Sequence, residues 1–384
     1  MRQGLDQRVN DKVDRYREDF LAMTKSDAHQ GINRRQMLQS VAGLGAGALA
    51  SSYPFAAQAD AGQPALVTSI RSLSNPYHAV WKVGADAFAK QVGIPSTVLV
   101  TEANSEKGIS DIRAMIAKTG GNMVLNVDPN NTPDARPIVE ACFKAKVYVV
   151  SWWNKPADLH PWDFDPYYIS HIEFDGVTNG GYITEELFKA MGDEGGFVAV
   201  GGMISDSAAI DRRKGMMETL KKHPKVELLD FQTGDWQSQK AFDITASWLT
   251  RFGDKIKGVW AANDDMGTGA LEALRAQGLA GKIPVVGIDG IKAAVEAVKA
   301  GEFVCTVTSD PYWQGGIGLS MGLEAHQGKF DPSKEPKLHR EFNAKTVKIT
   351  RDNVEEYIET QVQSHPQIDW SDLWSRVASP IVYG

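Results

Sequence analysis

The chain has 384 residues, of which 42% are hydrophobic and 23% are charged, and its formal net charge is -7. These values are typical of a globular protein, and the length favours two α/β domains over one. The acidic balance argues against a nucleic-acid-binding surface, and no charge-free stretch of about 18 apolar residues is present to span a membrane.

The N-terminal segment has the three parts of an export signal. Arg34 and Arg35 precede a weakly apolar run over residues 41–50, and Ala57-Gln58-Ala59 forms a small-residue cleavage pattern. This order predicts that residues 1–59 are removed on export, and the paired arginines resemble a twin-arginine signal. Asn33 stands where Ser or Thr is commoner. An ordinary Sec signal and an unfolded head on a cytosolic protein are the alternatives.

Beyond residue 60, short strands rich in β-branched residues alternate with amphipathic helical stretches, which predicts parallel sheets covered by helices on both faces. Two sheets fit this length better than one. The predicted strands are Ala65–Ile70, Thr97–Val100, Met123–Val127, Val147–Ser151, Phe197–Gly201, Val226–Phe231, Gly258–Ala261, Val285–Ile288 and Phe303–Val307. The predicted helices are Tyr77–Val92, Ser105–Lys118, Pro133–Ala145, Val177–Met191, Ser207–Lys222, Gln237–Phe252, Asp264–Gln277, Ile291–Ala300 and Tyr312–Gln327.

The alternation is interrupted in two places. Residues 152–175 hold seven aromatic residues and three prolines, which predicts a domain boundary and a wall of a ligand cleft. A packed cover over an apolar face is the alternative. After Thr350 the pattern predicts one short helix over 354–362, followed by an aromatic tail that contains Trp370 and Trp374.

No enzyme motif occurs in the structural context that it requires, and the sequence predicts neither a cofactor nor a metal site. The string Gly318–Gly322 matches a nucleophile elbow, but no strand pattern precedes Ser320, so we interpret its glycines as packing positions in a helix. Gly201-Gly202 lacks the third glycine of a phosphate loop and predicts a tight turn. Cys142 and Cys305 lie in separate apolar contexts and are predicted to be buried free thiols.

Four strings in consistent strand–helix contexts then point to a family. They are Ser74–Tyr77, Asp206–Ala209, Ala262–Gly267 and Val286–Gly290. In order and spacing they resemble the ribose-type periplasmic binding proteins, which share a fold with LacI-type regulators, over about Ala65–Lys348. The resemblance implies two Rossmann-like domains joined by a three-segment hinge, with the ligand buried between them.

The implied domains are a first lobe of residues 60–174 with 310–343 and a second lobe of 175–309 with 344–384. The implied hinge crossings are Phe174–Asp175, Ser309–Asp310 and Asn343–Lys345. The implied ligand-binding residues are Asn75, Tyr77, His78, Trp153, Asn154, Trp236, Asn263 and Asp289. Aromatic rings suit the apolar faces of a sugar, and Asn and Asp suit its hydroxyls.

Four of these roles have a structural alternative. Asn75 and Asp289 suit local capping, and Tyr77 and His78 suit packing in the first turn of a helix. For Asp264 we favour a capping role at the start of the helix that follows Asn263.

Three departures separate the chain from the family pattern. Residues 153–154 are Trp-Asn where an Asp-Arg pair is usual, Ile210 stands in place of an arginine, and Ser309 in place of a glutamine. Arg212 lies just beyond Ile210. On this alignment charged groups are lost and a large ring is gained, so another pentose, a hexose, a deoxysugar or a polyol suits the chain as well as ribose.

The sequence therefore predicts a monomeric periplasmic receptor that captures a sugar or polyol and delivers it to the permease of an ABC transporter after export by the twin-arginine machinery. It predicts no enzyme and no nucleic-acid partner. The alternative is a sensor that has the same fold and presents its ligand to a membrane receptor. A LacI-type regulator is a further alternative, but it would require a helix-turn-helix before the body, where residues 1–59 instead hold the Arg34-Arg35 pair and a Gly/Ala-rich run.

Overall fold

The computed structural model describes residues 62–364 and 366–383. The predicted export signal lies outside the described residues. The strands are β1 Ala65–Ile70, β2 Ser96–Val100, β3 Met123–Val127, β4 Tyr148–Trp152, β5 Tyr168–Glu173, β6 Gly195–Gly201, β7 Val226–Thr233, β8 Ile256–Ala261, β9 Val285–Val286, β10 Thr306–Val307, β11 Glu341–Ala344, β12 Lys348–Ile349 and β13 Val377–Ser379. The helices are α1 Pro76–Val92, α2 Ser105–Thr119, α3 Ala135–Ala145, α4 Gly176–Ala190, α5 Ser207–Leu220, α6 Ser238–Phe252, α7 Asp264–Ala276, α8 Lys292–Ala300, α9 Pro311–His326, α10 Lys337–Arg340 and α11 Val354–Tyr357.

The strands form two main sheets. The first has the order β13-β11-β5-β4-β3-β1-β2 and is parallel except for β13, which runs antiparallel to β11. The second has the order β7-β6-β8-β9 and is parallel throughout. Bridges from β9 to the segment around β10 extend it toward the β10–β12 pair. This architecture confirms the predicted α/β fold class.

Hydrophobic side chains cover both faces of the first sheet. Leu66 and Ile70 of β1 pack in one buried cluster with residues of α1 and α9, whereas Val67 packs in another with residues of α2 and α3. Adjacent positions therefore serve opposite faces, as the alternation of side chains along a strand requires. Both faces are apolar because helices cover both, which explains the near-continuous hydrophobic runs in the sequence.

The chain passes between the two sheets three times before β12 and once more near its C-terminus. It leaves the first sheet after β5, returns to it between β10 and α9, and leaves it again between β11 and β12. Helix α11 then packs against α8, and β13 rejoins the first sheet. The prediction placed residues 344–384 with the second lobe. In the structure Val377–Ser379 instead pairs with β11, because the tail crosses back.

Strand β5 was not predicted, because polar residues interrupt its hydrophobic pattern. Ser170 donates from its hydroxyl to the carbonyl of His339 at 2.9 Å. Nδ1 of His171 lies 2.8 Å from the Ser151 hydroxyl, and its Nε2 lies 2.7 Å from Glu173. Ser170 and His171 are fully buried. Such groups are tolerated in a core when they are paired, but in the sequence they resemble loop residues.

Glu173 of this network makes the stability of the fold dependent on pH. Burial raises the pKa of Glu173 to about 8, with Lys155 acting in the opposite direction. A carboxyl group whose pKa is higher in the folded state favours folding below its unfolded pKa and loses that contribution as the pH rises through 8. We expect the free energy of unfolding of Glu173→Gln to rise relative to that of the parent as the pH increases from 5 to 8.5. Urea unfolding of both proteins at both pH values measures this. If the difference in unfolding free energy is the same at the two pH values, the prediction is wrong.

The false nucleophile elbow and the two cysteines lie where the sequence predicted. Ser320 sits inside α9, not at a strand-to-helix turn, and its hydroxyl donates to the carbonyl of Trp370 at 2.7 Å. A Cβ on Gly318 would come within 2.0 Å of the Asn126 side chain, so this glycine is a packing position. Cys142 and Cys305 are buried free thiols.

Candidate ligand site between the two sheets

A cavity lies between the two sheets. Residues from loops at the carboxyl ends of strands in both sheets line it, the position at which open α/β sheets bind ligands. Of the predicted site residues it brings together Asn75, Tyr77, His78, Trp153, Trp236, Asn263 and Asp289. The lining that was not predicted consists of Arg71, Asp128, Asp206, Ala208 and Arg212.

Two aromatic side chains of the cavity, Tyr77 and Trp153, are linked by a hydrogen bond. The indole N–H of Trp153 donates to the Tyr77 hydroxyl at 2.8 Å, and that hydroxyl donates to Oε1 of Gln314 at 2.7 Å. Trp153 and Trp236 both have a φ of 61°. Non-glycine residues in this left-handed region carry backbone strain, which is concentrated at functional sites. Because the Trp153 indole donates to Tyr77 and the Trp236 indole donates to Asp206, both tryptophan rings are held as walls of the cavity.

Arg212 supplies the positive charge that the family pattern places at position 210. Its guanidinium group lies 5.1 Å from the ring centre of Trp153 and 5.6 Å from that of Trp236, and it is 3.8 Å from Asp289. Ile210, the residue aligned with the family's arginine, is 53% exposed. The inference that this charged group is lost was wrong, because the helical phase of α5 turns Arg212 into the cavity.

Asp289 is the acceptor at the second-sheet end of the cavity. It accepts from the Asn263 amide and from the Ser309 hydroxyl, both at 3.3 Å. Burial raises the pKa of Asp289, and the charge of Arg212 opposes that rise. Its φ of 142° adds a third strained residue to the cavity wall.

Two asparagines of the cavity cap helices as well. The Asn75 side chain accepts from the N–H of Tyr77 at 2.9 Å, and its amide donates to the carbonyl of Trp236 at 3.3 Å. Asn263, not Asp264, caps α7 by accepting from the N–H of Met266 at 3.0 Å. The proposed capping role of Asp264 was therefore wrong. Its carboxylate accepts from the N–H groups of the Gly290–Ile291 turn and from Thr306.

Asn154 was predicted to bind ligand but does not line the cavity. It is fully buried, and its amide donates to the carbonyl of Pro129 at 2.9 Å and to Asp206 at 3.2 Å. Its carbonyl oxygen accepts from the N–H of Ser207 at 2.9 Å. These contacts occupy the side chain, so its role is to join the loop after β4 to the start of α5.

Asp206 is the centre of the contacts that close the cavity. One carboxylate oxygen caps α5 through the N–H groups of Ala208 and Ala209. The other accepts from Arg71 and Asn154 at 3.2 Å and from the indole of Trp236 at 3.3 Å. Arg71 and Asn154 follow strands of the first sheet, whereas Asp206 follows β6 of the second. A single carboxylate thus holds both sides of the cavity together.

The helix-capping position of Asp206 was readable from the sequence, since Asp before a helix is a common cap. Its contacts with Arg71 and Asn154, 135 and 52 residues away along the chain, carry no local signal. The contact between His78 and Asp128, which follows β3, likewise carries no local signal in the sequence. A charged residue directly after a predicted strand is the only signal that could have marked Arg71 and Asp128.

Gly202 leaves room for the ring of Trp236, since a Cβ there would lie 2.0 Å from that ring. We expect Gly202→Ala to displace the indole and to weaken ligand binding about tenfold or more, equivalent to about 1.4 kcal/mol or more. Calorimetric titration measures this. Gly62→Ala, where an added Cβ meets nothing within 4 Å, is the control. Equal affinity of both variants would show that the position of Trp236 does not matter.

No group of His, Cys, Asp and Glu side chains suited to a metal ion occurs in residues 62–364 and 366–383. In the same residues no helix has the length and apolar character of a membrane span.

Two largely parallel sheets that are covered by helices and enclose a cavity of aromatic and charged side chains are typical of two-lobed solute-binding proteins. The chain belongs to the periplasmic binding protein domain family, which matches residues 66–330. This family consists of binding proteins, and the match confirms the resemblance seen in the sequence.

Individual relatives agree with this assignment. The crystal structure of a twin-arginine translocation pathway signal protein from Burkholderia phytofirmans is 54% identical with a TM-score of 0.83, covering 84% of this chain and 100% of that one. The ribose import binding protein of Haemophilus influenzae is 25% identical over 71% of this chain and 89% of its own length. The xylitol-binding protein of Mycolicibacterium smegmatis is 37% identical over 153 residues, which span 40% of this chain and 42% of that relative.

Proposed function

We propose that this protein captures a sugar or polyol in the cavity between its sheets and delivers it to an ABC importer. The observation that carries the proposal is the composition of the cavity wall. Fixed aromatic rings stand beside carboxylate, amide and guanidinium groups, which suits a ligand with C–H faces and several hydroxyls. The similarity to a ribose import binding protein and a xylitol-binding protein supports the same ligand class.

A thermal-shift screen with xylitol, D-ribose, D-allose and myo-inositol tests the ligand class. A ligand that binds only the folded chain at about 100 times its Kd adds about 2.7 kcal/mol to the free energy of unfolding. We expect at least one of these compounds to raise the melting temperature. If none does and a panel of amino acids does, the sugar or polyol assignment is wrong.

We further propose that the lobes open and close about the segments near residues 174–175, 309–310 and 343–345. The contacts of Asp206 across the cavity support a closed form. Hinge motion of this kind is a common response to ligand. We expect solution scattering to give a smaller radius of gyration with a tight-binding probe than without it. An unchanged radius would count against two hinged lobes.

We also propose that the protein is exported to the periplasm and that it is a monomer. The proposed export has the following basis. It rests on Arg34, Arg35 and the Ala57–Ala59 pattern, and on the likeness to a twin-arginine pathway signal protein. The test is the N-terminus of the protein recovered from its host, with export of an Arg34→Lys/Arg35→Lys variant alongside. A chain that retains residues 1–59 would exclude the signal, and normal export of the variant would favour the Sec route. Light scattering of the purified protein tests the monomer.

A further inference from the structure

The C-terminal tail, which runs from α11 to β13, is anchored on the sides of both sheets. At its start α11 packs against α8, and Nζ of Lys299 in α8 lies 2.6 Å from Oε2 of Glu355. At its end β13 pairs with β11 of the first sheet. Trp370, which is 4% exposed, packs against Phe88 of α1 with 6.2 Å between the ring centres. The tail is therefore a packed part of the fold that spans both sides.

Between these anchors the tail contacts two of the segments that cross between the sheets. The guanidinium group of Arg376 forms an ion pair with Oδ2 of Asp310, in the segment between β10 and α9. The carbonyl of Arg376 accepts from the N–H of Lys345 at 2.9 Å, in the segment between β11 and β12. Nζ of Lys345 donates to the carbonyl of Ser375 at 2.9 Å. The tail is thus bonded to two of the three segments proposed as the hinge.

Asp310 is held in a strained backbone conformation. Its φ of 38° lies in the left-handed region, which is unfavourable for a residue with a Cβ. Oδ1 of Asp310 caps α9 by accepting from the N–H of Trp313 at 3.0 Å, and its N–H donates to the Thr308 hydroxyl at 2.9 Å. The Arg376 guanidinium lies 4.9 Å from the ring centre of Trp313. The ion pair with Arg376 is therefore the part of this support that the tail supplies.

The residue before Asp310 links the same segment to both walls of the ligand cavity. The Ser309 hydroxyl donates to Asp289 at 3.3 Å, and the Ser309 carbonyl accepts from the side-chain amide of Gln314. Oε1 of Gln314 in turn accepts from the Tyr77 hydroxyl at 2.7 Å. Asp289 and Tyr77 line the cavity from the second and the first sheet. A change in the backbone at Asp310 is therefore felt at both walls.

We propose that Arg376 is a positioning residue that holds Asp310 in the conformation of the closed form, so that the C-terminal tail sets the fraction of closed protein before ligand binds. This inference rests on the hinge motion of the proposed function. Hinge residues absorb the change in φ and ψ when two lobes close, and a strained residue relaxes when its support is removed. Because the contacts of Asp206 across the cavity belong to the closed form, loss of the Arg376 ion pair favours the open form.

The experiment compares substitutions at two arginines that make the same kinds of contact. Arg376→Gln removes the charge and keeps most of the side-chain length, whereas Arg376→Lys keeps the charge. Arg251→Gln is the matched control, because Arg251 pairs with Asp230 at 3.3 Å and lies 4.6 Å from the ring centre of Phe252. These control contacts lie within β7 and α6, away from the three crossing segments.

The probe is whichever of xylitol, D-ribose, D-allose and myo-inositol gives the largest thermal shift. We expect Arg376→Gln to bind it roughly three- to tenfold more weakly, because the apparent affinity falls in proportion to the closed fraction. Arg376→Lys should recover most of the affinity, and Arg251→Gln should bind within about twofold of the parent. Without probe the radius of gyration of Arg376→Gln should exceed that of the parent, and with saturating probe the two radii should be equal.

The outcomes separate this inference from a structural role and from the proposed function. A purely structural role would lower the free energy of unfolding in urea and leave affinity and radius unchanged, which would overturn the inference. If the parent is already open without probe, affinity alone decides, since it still scales with the closed fraction. If the parent binds no member of the panel, or binds without a change in radius, the proposed function or its hinge fails on the parent alone, and the inference fails with it.

Discussion

Replacement of Asp289 by alanine is expected to weaken ligand binding more than any other truncation on the second-sheet side of the cavity. The change removes an acceptor that Asn263 and Ser309 hold in position and leaves the Arg212 guanidinium, 3.8 Å away and 4% exposed, without its counter-charge. The lost hydrogen bonds to ligand cost about 1.5–3 kcal/mol, or roughly 10- to 100-fold in affinity. Calorimetric titration with the compound found by screening measures the change.

Two further variants make this result interpretable. Asp289→Asn keeps the side-chain shape and one acceptor oxygen, so it should fall between the parent and Asp289→Ala. Ser320→Ala removes a buried hydroxyl in α9, away from the cavity, and should bind as the parent does. If Asp289→Ala remains folded and binds like the parent, the ligand does not use this carboxylate and the site carried over from the family is wrong.

Asp206→Ala is expected to shift the protein toward its open form. The carboxylate caps α5 and accepts from Arg71, Asn154 and Trp236. Without it the closed form leaves the Arg71 guanidinium, whose side chain is 11% exposed, without its carboxylate partner. Breaking one partner of a buried pair costs about 3–5 kcal/mol, and opening of the cavity relieves part of this cost by returning Arg71 to water.

The affinity of Asp206→Ala should fall in proportion to the population of the closed form, which we expect to mean about tenfold or more. Solution scattering without ligand should show a larger radius of gyration than the parent. Asp206→Asn keeps the side-chain shape but has only one acceptor oxygen, which can either cap α5 or accept from Arg71, so this variant should lie between the parent and Asp206→Ala in both measurements. A radius equal to that of the parent together with full affinity would show that these contacts do not maintain closure.

The sequence by itself determined most of the strands and helices and the placement of most cavity residues. Hydrophobic periodicity and turn residues are local, so β1, β3 and β6 were predicted to within one or two residues. Because binding loops follow the carboxyl ends of parallel strands, the positions of Asn75 and Trp236 at the cavity followed from the same pattern.

Only the tertiary structure decided which polar side chains face the ligand and which hold the protein together. Asn154 and Asn263 both follow predicted strands, yet the first is fully bonded to the protein and the second lines the cavity. Arg212 rather than Ile210 enters the cavity because the helical phase of α5 is set by packing. The return of the tail to β11 depends on a strand of three residues, too short to predict. In each case the deciding partner lies tens of residues away, and local periodicity holds no information about such pairs.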